Sequence, residues 1–182
     1  HAIPRRQRQM CIRDRFIWAF LFIMETLPYK SEPIIVTKEM CDLNGHMNVN
    51  YYYKLFDSTY TSFYINELEF DDEYFASGFS TFTLEDNIRY LREFRLNDKV
   101  FPSFMLYKTN KKLLHFLGIL ENEKNETAAI FETILGHIDL SKRKIVNFPE
   151  DKLKNLINVS ESQRKESNLS FEVKLFIKDI DA

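Results

Sequence analysis

The residues best suited to chemistry lie close together in one polar turn. Asp42 is followed by His46 and then by Asn48. A carboxylate can activate water or attack a carbonyl carbon, while imidazole and amide groups orient the reacting atoms. A purely structural role stays open, because Asp followed by Asn44-Gly45 is a common turn and Asn48 is a good helix cap.

The elements on either side of this turn are a predicted strand and a predicted helix. Residues 32–40 contain the β-branched run Ile34-Ile35-Val36, which favours a strand. Across residues 48–68 the apolar side chains recur at helical spacing, namely Val49, Tyr52, Tyr53, Phe56, Tyr60 and Phe63. N–H groups at a helix start lack intrahelical acceptors, and the helix dipole favours negative charge there. The junction is therefore suited to hold an oxyanion or polarise a carbonyl.

The rest of the pattern predicts a single α+β domain. Residues 69–77 are expected to form a loop or a short helical turn that ends at Gly78. Four further strands are expected at residues 81–91, 98–109, 113–121 and 127–139, and a short helix at 151–159. We therefore expect one long helix wrapped by an antiparallel sheet of about five strands.

Composition argues against several classes of function. The 182 residues are 45% hydrophobic with a net charge of −2, so one sizeable core is expected but no broad basic field for nucleic acid. Cys11 and Cys41 lack the spacing of a disulfide framework or a zinc site, and the four glycines form no phosphate loop. We expect no metal, no cofactor, no nucleic-acid partner and a cytoplasmic location.

The two ends of the chain differ from the middle. Residues 1–23 are rich in arginine, and their apolar run is far shorter than the roughly 20 residues needed to span a bilayer. We interpret them as a non-native or disordered extension, with the biological chain starting at Met24, and expect no membrane segment. The domain is predicted to occupy residues 31–159. Residues 160–182 are predicted to be a polar linker and a tail, whose last segment could form an edge strand or dock on a partner.

The turn also carries a family motif. The pattern D-x-x-G-H-M-N-x-x-x-Y is formed by Asp42, Gly45, His46, Met47, Asn48 and Tyr52. It closely resembles the opening of hotdog-fold acyl-CoA thioesterases, the 4-hydroxybenzoyl-CoA thioesterase-like superfamily. The likeness continues through residues 80–85, 88–93, 98–100, 114–116 and 137–139, and it is nearest to the branch that includes betainyl-CoA thioesterases.

The resemblance implies an acyl-CoA thioesterase that pairs edge to edge as a homodimer, or as a dimer of such dimers, with active sites at the subunit interface. Asp42 matches the family's catalytic aspartate and is the candidate general base or nucleophile. His46 would bond the thioester or orient Asp42, while Asn48 would position the water. Backbone N–H groups from Gly45 to Met47 would hold the carbonyl oxygen.

Further residues are candidates for substrate contacts. Asp57 on the long helix is an alternative base, although an exposed carboxylate is the commoner situation there. Glu85 is expected to face the pocket or to pair with Arg89 or Arg92. Tyr52 is a candidate substrate contact, but its position on the apolar face of the helix favours core or dimer packing. Coenzyme A phosphates are expected on surface cations such as Arg89, Arg92, Lys111 or Lys112.

The acyl group is left open. Aromatic side chains would suit a quaternary ammonium through cation–π contact and would suit an apolar acyl chain equally, the candidates being Tyr51, Tyr53, Phe56, Phe79 and Phe82. His115 and His137 lie in apolar strands and are expected to be packed, hydrogen-bonded histidines. Two alternatives to a thioesterase remain, namely a hydratase of the same fold, for which the Asp42–His46 spacing is one residue short, and a non-catalytic acyl-CoA-binding dimer.

Overall fold

A long central helix and the sheet that wraps it organise the computed structural model, which describes residues 27–179. The helices are α1 (Val49–Asn66), α2 (Asp72–Ala76) and α3 (Glu150–Glu166). The strands are β1 (Tyr29–Lys30), β2 (Ile34–Ile35), β3 (Phe79–Tyr90), β4 (Lys99–Thr109), β5 (Leu113–Glu121), β6 (Thr127–Asp139) and β7 (Lys144–Ile145). All pairings are antiparallel in the order β1-β4-β5-β6-β3, with β2 added to β4 and β7 added to β6.

The apolar stripe of α1 explains why the helix lies against the sheet. Phe56 is fully buried, and its ring stacks on that of Phe131 with centroids 4.7 Å apart. Gly118 on β5 permits this approach, since a Cβ atom there would come within 2.9 Å of the Phe104 ring and 3.2 Å of Phe56. The predicted helix wrapped by an antiparallel sheet is therefore confirmed.

The first predicted strand is mostly wrong. Of residues 32–40 only Ile34–Ile35 pair with β4, and Lys38–Met40 form a 3₁₀ turn instead. The chain leaves the sheet after the Val36 N–H donates to Asp98 O at 2.9 Å. It then closes on itself, because the Met40 N–H donates to Thr37 O at 3.1 Å. This turn brings the chain round to the start of α1.

The face of the sheet opposite α1 is covered by the end of the chain. An outer cluster of buried side chains on this face comprises Leu27, Met105, Leu117, Ile119 and Ile130. Leu169, Phe171 and Val173 of the C-terminal segment pack against it. The buried carboxylate of Glu132 accepts the backbone N–H groups of Lys174 and Leu175, each at 2.9 Å, and pairs with Arg89 at 2.9 Å. The carboxylate therefore fixes the segment to the sheet.

The prediction of a polar linker from residue 160 is wrong over its first part. Helix α3 continues to Glu166 rather than ending near residue 159. Ser160 is buried, and the Gln163 side chain accepts the N–H of Leu106 at 2.7 Å, where the β4–β5 register shifts. These long-range contacts hold a segment whose composition alone is typical of a linker. The predictions for residues 1–23 lie outside the described residues.

No helix within residues 27–179 is long and apolar enough to cross a membrane.

Candidate active site

The polar turn is held by its own hydrogen bonds. The Asp42 N–H donates to His46 O at 3.1 Å, and the Gly45 N–H donates to Asp42 O at 3.0 Å. Gly45 has a φ of +82°, a left-handed conformation that glycine adopts without strain. Met47 is buried, and its N–H donates to Phe94 O at 2.7 Å. The turn is therefore fixed between the 3₁₀ turn, α1 and the loop after β3.

Two of the predicted oxyanion donors are already engaged. The N–H groups of Gly45 and Met47 both donate to backbone carbonyls in this structure. These two N–H groups are therefore not free for a substrate oxygen, while an oxyanion role for the third predicted donor, the His46 N–H, stays a prediction. Val49 is the first residue of α1, and its N–H points out of the helix start without an intrahelical acceptor.

The Asp42 carboxylate is half-buried and held in its ionised form. Its Oδ1 atom accepts the Asn44 N–H at 2.8 Å, and its Oδ2 atom lies 3.5 Å from Asn48 Nδ2. The Asn44 backbone hydrogen bond lowers the pKa of Asp42 below its ordinary value, and the neighbouring His46 lowers it further. A charged carboxylate is therefore available at neutral pH.

Asn48 and His46 contribute in different ways. The Asn48 Oδ1 atom caps α1 by accepting the Asn50 N–H at 3.0 Å, so the residue serves the helix and contacts Asp42 at once. His46 Nδ1 lies 3.2 Å from Met47 O, and the ring bonds that carbonyl rather than the Asp42 carboxylate. His46 also lines a cavity of about 280 Å³ with Tyr52, among other residues.

Tyr52 joins the helix to the loop that follows β3. Its hydroxyl donates to Arg92 O at 3.2 Å and accepts the Phe94 N–H at the same distance. Burial raises the pKa of Tyr52, so the hydroxyl stays neutral. The predicted packing role of Tyr52 is therefore confirmed, and its ring forms part of the wall of the small cavity.

Asp57 lines a different cavity of about 310 Å³, which is the larger of these two cavities. It lies between α1, β3 and β6, and its wall includes Tyr53, Asp57, Tyr60, Tyr64, Thr81 and Phe131. Asp57 is eight residues beyond Val49, which corresponds to about 12 Å along the helix. A single protomer therefore keeps Asp57 and Asp42 apart.

Glu85 is not brought to either cavity. It pairs with Ile134 across β3 and β6, after a bulge that follows Thr83. Alternation along the strand places Glu85 on the same face as Arg89, whose side chain binds Glu132 beneath the C-terminal segment. Glu85 is exposed on that face, away from α1. The expectation that it faces the pocket is therefore wrong, and so is the expected pairing with Arg89.

The two strand histidines have different surroundings. His137 is packed and hydrogen-bonded as predicted, with Nε2 2.7 Å from the Tyr74 hydroxyl and Nδ1 3.1 Å from Asn147 O. His115 is fully buried, but its nearest polar contact is Glu132, at 3.6 Å from Nε2. Packing is therefore confirmed for both, and close hydrogen bonding for His137 alone.

Sequence reasoning missed most of the wall of the larger cavity. Tyr60, Tyr64 and Thr81 were not proposed as site residues, yet the Tyr64 hydroxyl lies 2.7 Å from Thr81 Oγ1 inside it. A signal was present, because positions 53, 57, 60 and 64 repeat at intervals of four and three and so share one face of α1.

The strand next to this cavity has a free edge. Among residues 27–179, β3 pairs with β6 alone and so leaves its other edge unpaired. Leu84 and Tyr90 on this strand are each about half exposed. Unpaired edges of this length are surfaces on which another strand can add.

Comparisons with known proteins agree with this architecture. The relatives include proteins named L-carnitine dehydrogenase/betainyl-CoA thioesterase. That of Rhizobium meliloti is 28% identical over 125 residues, covering 68% of this chain and 25% of the relative. That of Ruegeria pomeroyi is 33% identical over 110 residues, covering 60% and 22%. The chain thus spans about a quarter of the length of these relatives.

Solved structures show the same fold. A Staphylococcus aureus protein crystallised with CoA has a TM-score of 0.72 and 23% identity, covering 84% of this chain and 98% of that one. A DHNA-CoA thioesterase from Staphylococcus aureus has a TM-score of 0.66 and 18% identity, covering 78% and 97%. The predicted hotdog fold is confirmed. The family model described as the thioesterase-like superfamily matches residues 36–156, and the chain therefore belongs to that superfamily.

Proposed function

We propose that this protein is an acyl-CoA thioesterase in which Asp42 acts as general base or nucleophile. One observation carries the proposal: an ionised, half-buried carboxylate is fixed by Asn44 and Asn48 at the start of α1. Membership of the thioesterase-like superfamily supports the same chemistry. A carboxylate in this state can take a proton from water or attack the thioester carbon directly.

The chemistry balances by either route. As a base, Asp42 takes a proton from water, the hydroxide adds to the carbonyl carbon, and the C–S bond breaks. The thiolate of CoA then takes up the proton, and a free acid and CoA thiol are released. As a nucleophile, Asp42 adds to the carbonyl carbon and the C–S bond breaks, which releases the CoA thiolate and leaves an anhydride. Water then hydrolyses the anhydride to the free acid and restores the Asp42 carboxylate, and the thiolate takes up the proton. Because Gly45 and Met47 are engaged, the N–H groups of His46 and Val49 are the better oxyanion donors.

The free edge of β3 supports a composite site. If two copies pair through β3 about a two-fold axis, their strands run antiparallel, and the Tyr90 end of one lies beside the Phe79 end of the other. The Asp42 turn lies near the Tyr90 end, because Tyr52 contacts both Tyr90 and the loop beyond it. The larger cavity lies near the Phe79 end. Pairing would therefore bring the Asp42 of one protomer towards the partner's cavity.

The acyl group of the substrate can be narrowed from the relatives. The names of the curated relatives favour a small acyl group of the betainyl type.

Of the cations expected to hold CoA phosphates, Arg92 lines the small cavity and makes only a half-exposed pair with Glu126 at 3.4 Å. Arg89 is held by Glu132 on the opposite face of the sheet. Arg92 is therefore the better phosphate contact.

Release of free thiol from acyl-CoA substrates tests the proposed function. Purified protein is incubated with acetyl-, butyryl-, benzoyl- and betainyl-CoA, and thiol is followed with a chromogenic disulfide. We expect enzyme-dependent release from at least one of them. Water addition to an enoyl-CoA without thiol release would contradict the proposal in favour of a hydratase. Tight binding of every thioester without turnover would contradict it in favour of a binding protein.

A further inference from the structure

The larger cavity carries a negative charge that nothing in its wall neutralises. Asp57 is the single carboxylate among its lining residues, and no lysine, arginine or histidine of the described chain lines it. The nearest cation along the helix, Lys54, lies over the Tyr51 ring at 5.6 Å from its centroid. A second carboxylate, Asp86, lies close to this wall, because burial and then the charges of Asp86 and Asp57 raise the pKa of Tyr53. An anionic acyl group would therefore be repelled here.

The rest of the wall is aromatic or hydroxylated, apart from the aliphatic side chains of Ile65 and Leu135. The rings of Tyr53 and Phe131 pack edge to face with centroids 5.9 Å apart, and Phe131 in turn stacks on Phe56. Burial raises the pKa of Tyr60 and of Tyr64, so these phenols stay neutral and keep electron-rich faces. The Tyr64 hydroxyl is already bonded to Thr81. Neutral rings held in fixed positions beside a carboxylate attract a cation that makes no hydrogen bonds of its own.

We propose that this cavity selects acyl groups that carry a positive charge, with Asp57 as the charged contact and the rings of Tyr53, Tyr60 and Phe131 as the apolar wall. A trimethylammonium group matches these surroundings, because it is cationic, has apolar methyl groups and donates no strong hydrogen bond. The cavity volume of about 310 Å³ suits a compact acyl group. The inference rests on the proposed function and assigns Asp57 to substrate selection.

A pair of substrates of equal shape tests the assignment. Betainyl-CoA and 3,3-dimethylbutanoyl-CoA differ only in the quaternary nitrogen or carbon that carries three methyl groups. We expect the ratio of their kcat/KM values to favour the cation by about tenfold or more in the wild type. Asp57→Asn should lower this ratio about tenfold, whatever its effect on the absolute rates, whereas Asp57→Glu should largely keep the preference. Glu161→Gln removes one exposed carboxylate on α3 and should leave the ratio unchanged.

The outcomes separate this inference from the proposed function. Thiol release from neither substrate, nor from any other thioester, would overturn both. Release from both with equal kcat/KM would overturn the inference and leave the thioesterase standing. Loss of all activity in Asp57→Asn with a native circular dichroism spectrum would assign Asp57 to the chemistry itself and overturn its role in selection. An unchanged ratio of the two kcat/KM values in Asp57→Asn would also overturn the role of Asp57 in substrate selection.

Discussion

Replacing Asp42 with asparagine is expected to lower kcat/KM for thioester hydrolysis by about 10²–10⁴-fold. The amide keeps the shape of the side chain and an oxygen that can accept the Asn44 N–H, so the turn should persist. It cannot take a proton from water or form an anhydride. Steady-state thiol release by the purified variant, with its circular dichroism spectrum compared with the wild type, measures the effect.

The pH dependence gives a second measure of the same carboxylate. The pKa of Asp42 is lowered, so its active ionised form persists above its depressed pKa and is lost only as the pH falls through it. We expect the acid limb of kcat/KM to lie below about pH 4. Glu39→Gln, at a neighbouring exposed carboxylate, serves as the control and should leave activity within about twofold. Asp42→Asn activity within tenfold of the wild type would rule out the assigned role.

Replacing Glu132 with glutamine is expected to destabilise the fold by about 2–4 kcal/mol, because it removes the charge from a buried carboxylate that pairs with Arg89 and holds the C-terminal segment. Burial opposes ionisation, but His115 and the N–H groups of Leu175 and Lys174 outweigh it and lower the pKa of Glu132. Urea unfolding at pH 7 measures the loss, and limited proteolysis reports release of the segment.

The lowered pKa of Glu132 determines how this destabilisation changes with pH. The Glu132 carboxylate contributes to the free energy of unfolding above the ordinary glutamate pKa, and this contribution is lost as the pH falls through the pKa of the folded state. The difference in free energy of unfolding between Glu132→Gln and the wild type should therefore shrink below about pH 4. Glu172→Gln is the matched control, because this exposed residue of the same segment bonds the Lys174 side chain at the surface. It should cost less than about 1 kcal/mol. Equal effects of the two substitutions would contradict the clamping role of Glu132.

Local signals in the sequence predicted much of the fold. The β-rich runs at Leu113–Glu121 and Thr127–Asp139 coincide with β5 and β6, since their apolar residues and flanking turns define both ends. Asn48 marked the start of α1, because its side chain caps the helix. These features depend on neighbours in the chain, which a sequence displays directly.

Features that depend on distant contacts escaped prediction. Residues 160–166 are polar, and their helix is held by packing and by the bond between Gln163 and Leu106, more than fifty residues away. Glu85 was expected at the pocket, but the bulge after Thr83 determines which face it occupies. The engagement of the Gly45 and Met47 N–H groups likewise depends on Phe94 and on how the turn closes.

Complementation between two inactive variants tests the composite thioesterase site most directly. Asp42→Asn lacks the carboxylate, and Thr61→Trp fills the larger cavity from α1. Co-expressed with different tags, they should form mixed dimers in which one of the two sites combines an intact Asp42 with an intact cavity. Random pairing then predicts thiol release at about a quarter of the wild-type rate. Thiol release no faster than that of the separate variants, in a sample that native mass spectrometry shows to contain mixed dimers, would contradict the composite site.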